Sequence, residues 1–452
     1  MITYSIIKKS ELEGAHRLDA EYYQPEYFID FSKGQWESIG DVLSSCQYGI
    51  SQSMNDEKNG YPIFKMDNIH HGFLVDDEVR FTDIPKATFT EFQLKKDDVL
   101  FNRVNSEEFV GRTGIYKLDE LPSVFASYLI RIQTKRGGDI LPDYLNVFLN
   151  SAYGIRQIRK FSRRAVNQAN VNAEELKRIK IAVVPMSEQE KIAELSNESW
   201  RESQRSKSLY AQAEHLLLGE LGLTNSREEG DLWSVVHFSD IKNAGRMDAE
   251  YFQSDFEKVR QKLQDQKMAQ LGDLVTMKKG FEPGSGAYQE DGKLFIRVSS
   301  MSKDGITEKD QKFLSEKIYK ELKGDYQPKV GEILLTKDAT PGVAYVLKED
   351  LEGIVSGGIL RLKLKELIDP EYLAFCINSI VGKSQVERDA GGSVIKHWKP
   401  EQIKAMVIPI LSRGTQQKIA DLVRASHEAR KKAKGLLEEA KRKVEEMIET
   451  AH

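Results

Sequence analysis

The sequence predicts an α+β fold with a pseudo-twofold internal repeat: two mixed α/β modules, each followed by a long helix. Three observations predict it. The same phrases recur in the same order in both halves. Each half alternates short apolar runs with Gly, Asp and Asn turns before it turns helical. Two long stretches then carry heptad spacing.

The repeat begins with "RLDAEYYQPEYF" at Arg17 and "RMDAEYFQSDFE" at Arg246. "IGDVLSS" at Ile39 then pairs with "LGDLVTM" at Leu271, and "GYPIFKMDNIHHGFL" at Gly60 with "GKLFIRVSSMSKDGI" at Gly292. "KDDVLFNR" at Lys96 pairs with "VGEILLTK" at Val330, and "DYLNVFLNSAYGIRQIRK" at Asp143 with "EYLAFCINSIVGKSQVER" at Glu371. Finally, "IKIAVVPMSEQEKIAEL" at Ile179 pairs with "IKAMVIPILSRGTQQKIADL" at Ile403. Ordered matches at nearly constant offset mark a duplication. It is either a relic without functional meaning or a pair of modules that read two different targets.

Within each module, runs such as "VLFNRV", "TGIYKL" and "ASYLIRI" read as strands. Helices follow, with Pro142 and Pro370 near their starts. The central long helix is expected from Ser187, with Glu190 completing a capping box, toward Gly219 and Gly222 as stops. The last is expected from near Thr415, without a capping box. Ile192, Ser199, Ser206 and Ala213 form one heptad row, with Leu195, Leu209 and Leu216 expected beside it. Ile419, Ser426, Ala433, Ala440 and Met447 form the other, beside Val423, Leu437 and Val444. The rows suit a coiled coil between the two helices; ordinary packing of each on its own module is the alternative. The expected division is 1–186, 187–222, 223–411 and 412–452.

With 452 residues, 30% charged and 40% hydrophobic, the composition is that of a soluble globular chain of two to four domains. No apolar run is long enough for a membrane span, and the first residues lack a signal-peptide pattern. Two cysteines in opposite halves imply no disulfide framework and fit a reducing cytoplasm. A net charge of −4 argues against a generally basic coat and leaves room for a local basic groove.

Searches for catalytic motifs fail. "GKS" at Gly382 lacks the earlier glycine of a phosphate-binding loop, and "GSGAYQ" at Gly284 lacks the third glycine of a dinucleotide fingerprint. His70 and His71 have no Cys or His at ligand spacing, so no metal site is expected. The Asn-Pro-Pro-aromatic quartet of amino-methyltransferases and Gly-x-Ser-x-Gly are also missing. No catalytic residue is assigned.

Basic residues are more informative. Arg156, Arg159, Lys160, Arg163, Arg164, Lys177, Arg178 and Lys180 face only Glu174 and Glu175 within one stretch, which contains "RRAVNQANVN". Arginine reads guanine and Asn or Gln reads adenine by paired hydrogen bonds, so this pattern suits DNA; a solvated helix face is the alternative. Arg163, Arg164 and Asn167 are the candidate contacts here. Arg103, Asn105 and Arg112 of "FNRVNSEEFVGRTG" and Tyr48, Gln52 and Ser53 of "YGISQS" join them from loops. In the second module the candidates are Lys396, His397 and Lys399 of "IKHWK".

"RLDAEYY", "GDVLSSCQYGISQS", "DDVLFNRVNSEEFVGRTGIY" and "IKIAVVPMSEQEKIAEL", with their counterparts, resemble the specificity subunit of type I restriction-modification systems over nearly the whole chain. The second copy departs in "IPILSRGTQQKI", where Gln417 stands in for Glu190 or its neighbour. The resemblance implies two target-recognition domains joined by two long antiparallel coiled-coil helices. Each domain would read half of a bipartite, asymmetric double-stranded DNA site. The helices would set the gap and dock two methyltransferase subunits, which methylate adenine with S-adenosylmethionine. Restriction subunits, with motor and nuclease activity using ATP and Mg, can join, and the chain itself would hold no cofactor. A related system whose partner fuses methylation and cleavage is one alternative. A non-enzymatic coiled-coil scaffold and an autonomous methyltransferase are others.

Overall fold

A computed structural model describes residues 6–10, 12, 17–118, 121–165, 168–224, 235–248, 251–264, 266–307, 310–390 and 396–450. The chain forms two compact units. The first comprises residues 1–204 and 430–452, the second residues 205–429.

In the first unit the apolar runs form a six-stranded sheet. Its strands are β1 (Leu43–Tyr48), β2 (Ile69–His70), β3 (Phe73–Leu74), β4 (Val99–Asn102), β6 (Thr113–Ile115) and β7 (Leu129–Thr134), in the order β1-β7-β4-β6-β3-β2. A smaller sheet joins β5 (Val104–Asn105), β8 (Arg163–Ala165) and β9 (Gln168–Asn170), with β9 in the middle. Helices α1 (Pro142–Leu149) and α2 (Ala152–Phe161) follow the large sheet in sequence. Tyr144 and Phe148 of α1 share one apolar core with Val99, Phe101 and Ile130 of the sheet.

The second unit repeats the plan. Strands β10 (Val275–Lys279), β11 (Ile333–Thr336), β13 (Ala344–Val346) and β14 (Ile359–Leu364) order as β10-β14-β11-β13. Strand β12 (Asp338–Ala339) pairs with β15 (Lys396–His397). Helices α4 (Pro370–Asn378) and α5 (Ile380–Asp389) complete it.

The close contacts repeat with the sequence, which explains why these residues recur. A Cβ on Gly154 would lie 2.3 Å from the Phe148 carbonyl oxygen, and one on Gly382 2.1 Å from that of Ile377. Gly382 of "GKS" is therefore a packing glycine at a helix junction. Tyr144 Oη donates to Ala182 O, and Tyr372 Oη to Pro409 O, each at 2.8 Å. The opening phrase is a clasp. Arg17 forks onto Asp19 and donates to the carbonyls of Phe161 and Ser162 at the end of α2. Arg246 forks onto Asp248 and donates to those of Arg388 and Asp389 at the end of α5. A cation that satisfies the last carbonyls also suits the negative end of a helix.

The long helices are α3 (Met186–Glu220) and α6 (Arg413–Thr450). Helix α3 starts before Ser187, so Ser187 lies in its first turn rather than at the cap. Gln189 instead reaches back to Val184 O at 2.9 Å. Its end is a Schellman motif: Leu223 N donates to Leu218 O, Gly222 N donates to Gly219 O, and Gly222 has φ +67°. At the start of helix α6, Ser412 Oγ accepts from Thr415 N at 3.2 Å, a simple N-terminal cap. In the first unit, Ile192 packs with Ala440 and Val444, and Ser199 Oγ donates to Ala433 O, so the helices run antiparallel. In the second, Ser206 and Ser426 hydroxyls meet at 3.0 Å, and Ala213 packs with Ile419 and Val423. The row of Ile192, Ser199, Ser206 and Ala213 is buried as expected. Leu195, Leu209 and Leu216 lie beside it half-buried, with Leu195 and Leu216 packed against the cores of their units. Gln189, Ser196, Glu202 and Leu217 are buried as well.

Among the described residues, no helix is long and apolar enough to cross a membrane.

Candidate nucleic-acid interface

The small sheet of the first unit brings distant candidates together. Asn105 on β5 pairs with Ala169 on β9, and β9 pairs with β8, which carries Arg163 and Arg164. Arg103 lies just before β5. Its Nε donates to Ser127 O at 2.9 Å, and its guanidinium stands 5.1 Å from the centre of the Tyr48 ring. Tyr48 is held in turn by Ala173 N, which donates to its hydroxyl at 2.9 Å. These bonds fix the stem of Arg103 and employ only Nε of its guanidinium.

The two arginines of β8 are anchored by acids. Arg163 Nε donates to the buried Glu175 at 2.6 Å while the side chain stays 65% exposed. Arg164 bonds Glu107 at 2.7 Å and the Tyr27 hydroxyl at 3.0 Å. Asn105 accepts from Ser106 N. Arg112 is exposed over the Phe109 ring, in the turn that returns to β6. Gln52 and Ser53 are exposed in the loop beyond the Ile50–Ala126 bridge, and Ser53 O accepts from Thr82 rather than from the small sheet. Asn167 lies outside the described residues. The basic stretch thus splits. Lys180 donates to Ser38 Oγ, and Arg178 and Lys160 lie over the rings of Phe161 and Tyr22.

In the second unit, Lys396 and His397 are exposed on β15. His397 Nδ1 lies 2.8 Å from Asp338 Oδ1 across the ladder, and Lys337 Nζ bonds the same carboxyl through Oδ2. Burial raises the Asp338 pKa, but hydrogen bonds from Lys337 and His397 more than offset this and hold it below the ordinary value. Lys399 is exposed at the start of the short helix Pro400–Ala405, beyond the strand.

Backbone hydrogen bonds establish which positions correspond. Arg103 N donates to Tyr128 O and Val171 N to Arg103 O; Lys337 N donates to Gly358 O and Trp398 N to Lys337 O. Arg103 therefore matches Lys337, Val104 matches Asp338, and Asn170 matches His397. The frame is shared while the side chains on it differ. The sequence reading did not name Lys337, Asp338, Tyr128 or Asn170, which share this frame. The pairing of "KDDVLFNR" with "VGEILLTK" already aligned Arg103 with Lys337 and could have found the first two. Among the described residues, no cluster of His, Cys, Asp or Glu is placed to hold a metal.

The family model for the type I restriction modification DNA specificity domain matches twice, at residues 33–196 and 264–440. The chain is 22% identical, over 444 residues, to the putative type I restriction enzyme MjaX specificity subunit of Methanocaldococcus jannaschii; the match covers 95% of this chain and 97% of that protein. It is 26% identical to the EcoKI specificity subunit of Escherichia coli K12, over 38% of this chain and 36% of that one. A crystal structure of a type I S subunit from M. genitalium aligns over 94% of this chain and 98% of its own, with 14% identity and a TM-score of 0.44. With the specificity domain matched in both halves and covering most of the sequence, the chain belongs to the specificity subunits of type I restriction-modification systems.

Proposed function

We propose that each unit reads one half of a bipartite, asymmetric DNA site, through the strands around Arg103 and Arg163 in the first and around Lys337 and His397 in the second. One observation carries this reading. Two equivalent backbone frames present different polar and basic side chains, as two readers of different half-sites require. Tyr48, Gln52, Ser53, Asn105, Arg112, Arg164, Asn167, Lys396 and Lys399 complete the proposed contacts. Residues 1–186 and 223–411 act as target-recognition domains, and residues 187–222 and 412–452 as spacers that set the gap. The spacers also dock two methyltransferase subunits for adenine methylation, and restriction subunits join these to cleave unmodified DNA. The chain contributes specificity rather than a chemical step, and works in the cytoplasm.

Methylome sequencing of cells with and without the chain tests the reading. A split adenine-methylated motif should vanish with the chain. Exchanging residues 40–180 for those of another member should alter one half of the motif only. Concerted change of both halves would refute independent reading.

Arg103→Ala should weaken binding by roughly 1–3 kcal/mol and relax one position of one half-site. Uniform weakening of all sequences with a lower salt slope would instead mark Arg103 as a phosphate contact. Unaltered affinity, specificity and salt slope would remove it from the interface.

A further inference from the structure

The pair Asp338–His397 has no counterpart in the first unit. At the corresponding ladder positions stand Val104 and Asn170, which cannot exchange a proton. Asp338 faces the β15 side with one oxygen and Lys337 with the other, so its carboxylate is ionised and only accepts. The nitrogen of His397 that faces it must therefore carry a proton. This leaves Nε2 as the free end of a side chain that is 63% exposed. Nε2 is an acceptor when the imidazole is neutral and a donor when it is charged. A base edge offering a donor, such as adenine N6 or cytosine N4, suits the first state. Guanine N7 or O6 suits the second.

We propose that His397, held by Asp338 as a positioning residue, is a base-reading contact whose preference changes with its proton, so that the second half-site is read pH-dependently and the first is not. The inference rests on the reading that the β12–β15 strands face DNA. Charged groups of both signs lie near the pair. Lys337 bonds Asp338, and Lys396 and Lys399 flank His397 in the chain. Glu282 and Lys279 approach Gly357, next to Gly358, above whose Cα Asp338 lies. An incoming phosphate backbone adds negative charge and favours the protonated state.

The test uses the full chain assembled with its methyltransferase partners. The probes are duplexes carrying the motif defined by methylome sequencing, with each base pair substituted in turn. Affinities are measured between about pH 5.5 and 8, the range in which imidazole ordinarily changes charge. Discrimination at one base pair of the second half-site should change roughly fivefold or more, while that at every position of the first half-site stays level. His397→Gln should flatten the profile. Asp338→Asn, which keeps the shape of this half-buried side chain and an acceptor oxygen, should shift or flatten it; circular dichroism of the variant checks that it stays folded. A level profile in the native protein, with second-half specificity intact in both variants, overturns the proposal. A pH effect equal for all duplexes makes His397 a phosphate contact and also overturns it. If joint replacement of Lys396, His397 and Lys399 by Ala leaves affinity, specificity and salt slope unchanged, the strands do not face DNA, and the underlying reading falls with the inference.

Discussion

Lys117→Met is expected to destabilise the first unit by about 3–5 kcal/mol, the usual cost of stranding a buried charge. Lys117 is almost wholly buried and bonds Asp143 at 2.8 Å and Asp97 at 2.6 Å. Asp143 is itself buried at the start of α1. Burial pushes its carboxyl upward, and the ammonium of Lys117 pulls it back without fully offsetting the shift. Removing the ammonium removes that opposition, so the carboxyl rises further. A carboxyl raised in the folded state favours folding at low pH, and this contribution is lost as the pH climbs through the folded value. The deficit of the variant should therefore be largest above neutrality and shrink as the pH falls toward the ordinary carboxylate range, about 4. Denaturant unfolding at two pH values measures this. With two units, separate transitions are expected, and only the first should move. A deficit under about 1 kcal/mol, or one that grows in acid, contradicts the account.

The second large effect concerns the spacer. Four residues inserted into both long helices, after Ser203 and after Ala429, lengthen each by about 6 Å and rotate the helix beyond the insertion by about 40°. DNA rises about 3.4 Å and turns about 35° per base pair. Length favours two added base pairs and rotation favours one, so the preferred gap should grow by one or two with both half-sites unchanged. An insertion of four also disturbs the heptad register and costs some stability. Methylome sequencing of the variant decides. Methylation at the original spacing by an active variant would show that the helices do not set the gap.

Much of this architecture was legible because its constraints act on backbone. A carbonyl that leaves no room for a Cβ demands glycine twice, at Gly154 and Gly382, and the tyrosines that tie helix to strand recur for the same reason. The "RLDAEYY" phrase was legible as a repeat but not as a clasp, since its carbonyl partners lie at Phe161 and Ser162, far along the chain. The leucines of α3 are only half-buried, although leucine signals burial by type. Here the helices approach through serine, and Leu195 and Leu209 are left to flank. The strands proposed to read DNA were legible only in part. Arg163 and Arg164 stood out by charge, whereas the partnership of Asp338 with His397 depends on ladder register, which the sequence between them does not reveal.

The serines between the long helices have a further consequence. A seam of aliphatic side chains can slide by a turn and still bury its surface. Hydroxyls can do so only if each finds a new acceptor at its new height, because a buried donor without a partner is costly. Ser199 on the Ala433 carbonyl and Ser206 on Ser426 therefore act like detents on a sliding scale. They contribute little cohesion, but they make one alignment of the two helices distinct from its neighbours. Helices paired this way resist creep more than rupture, the property that the proposed spacing role requires.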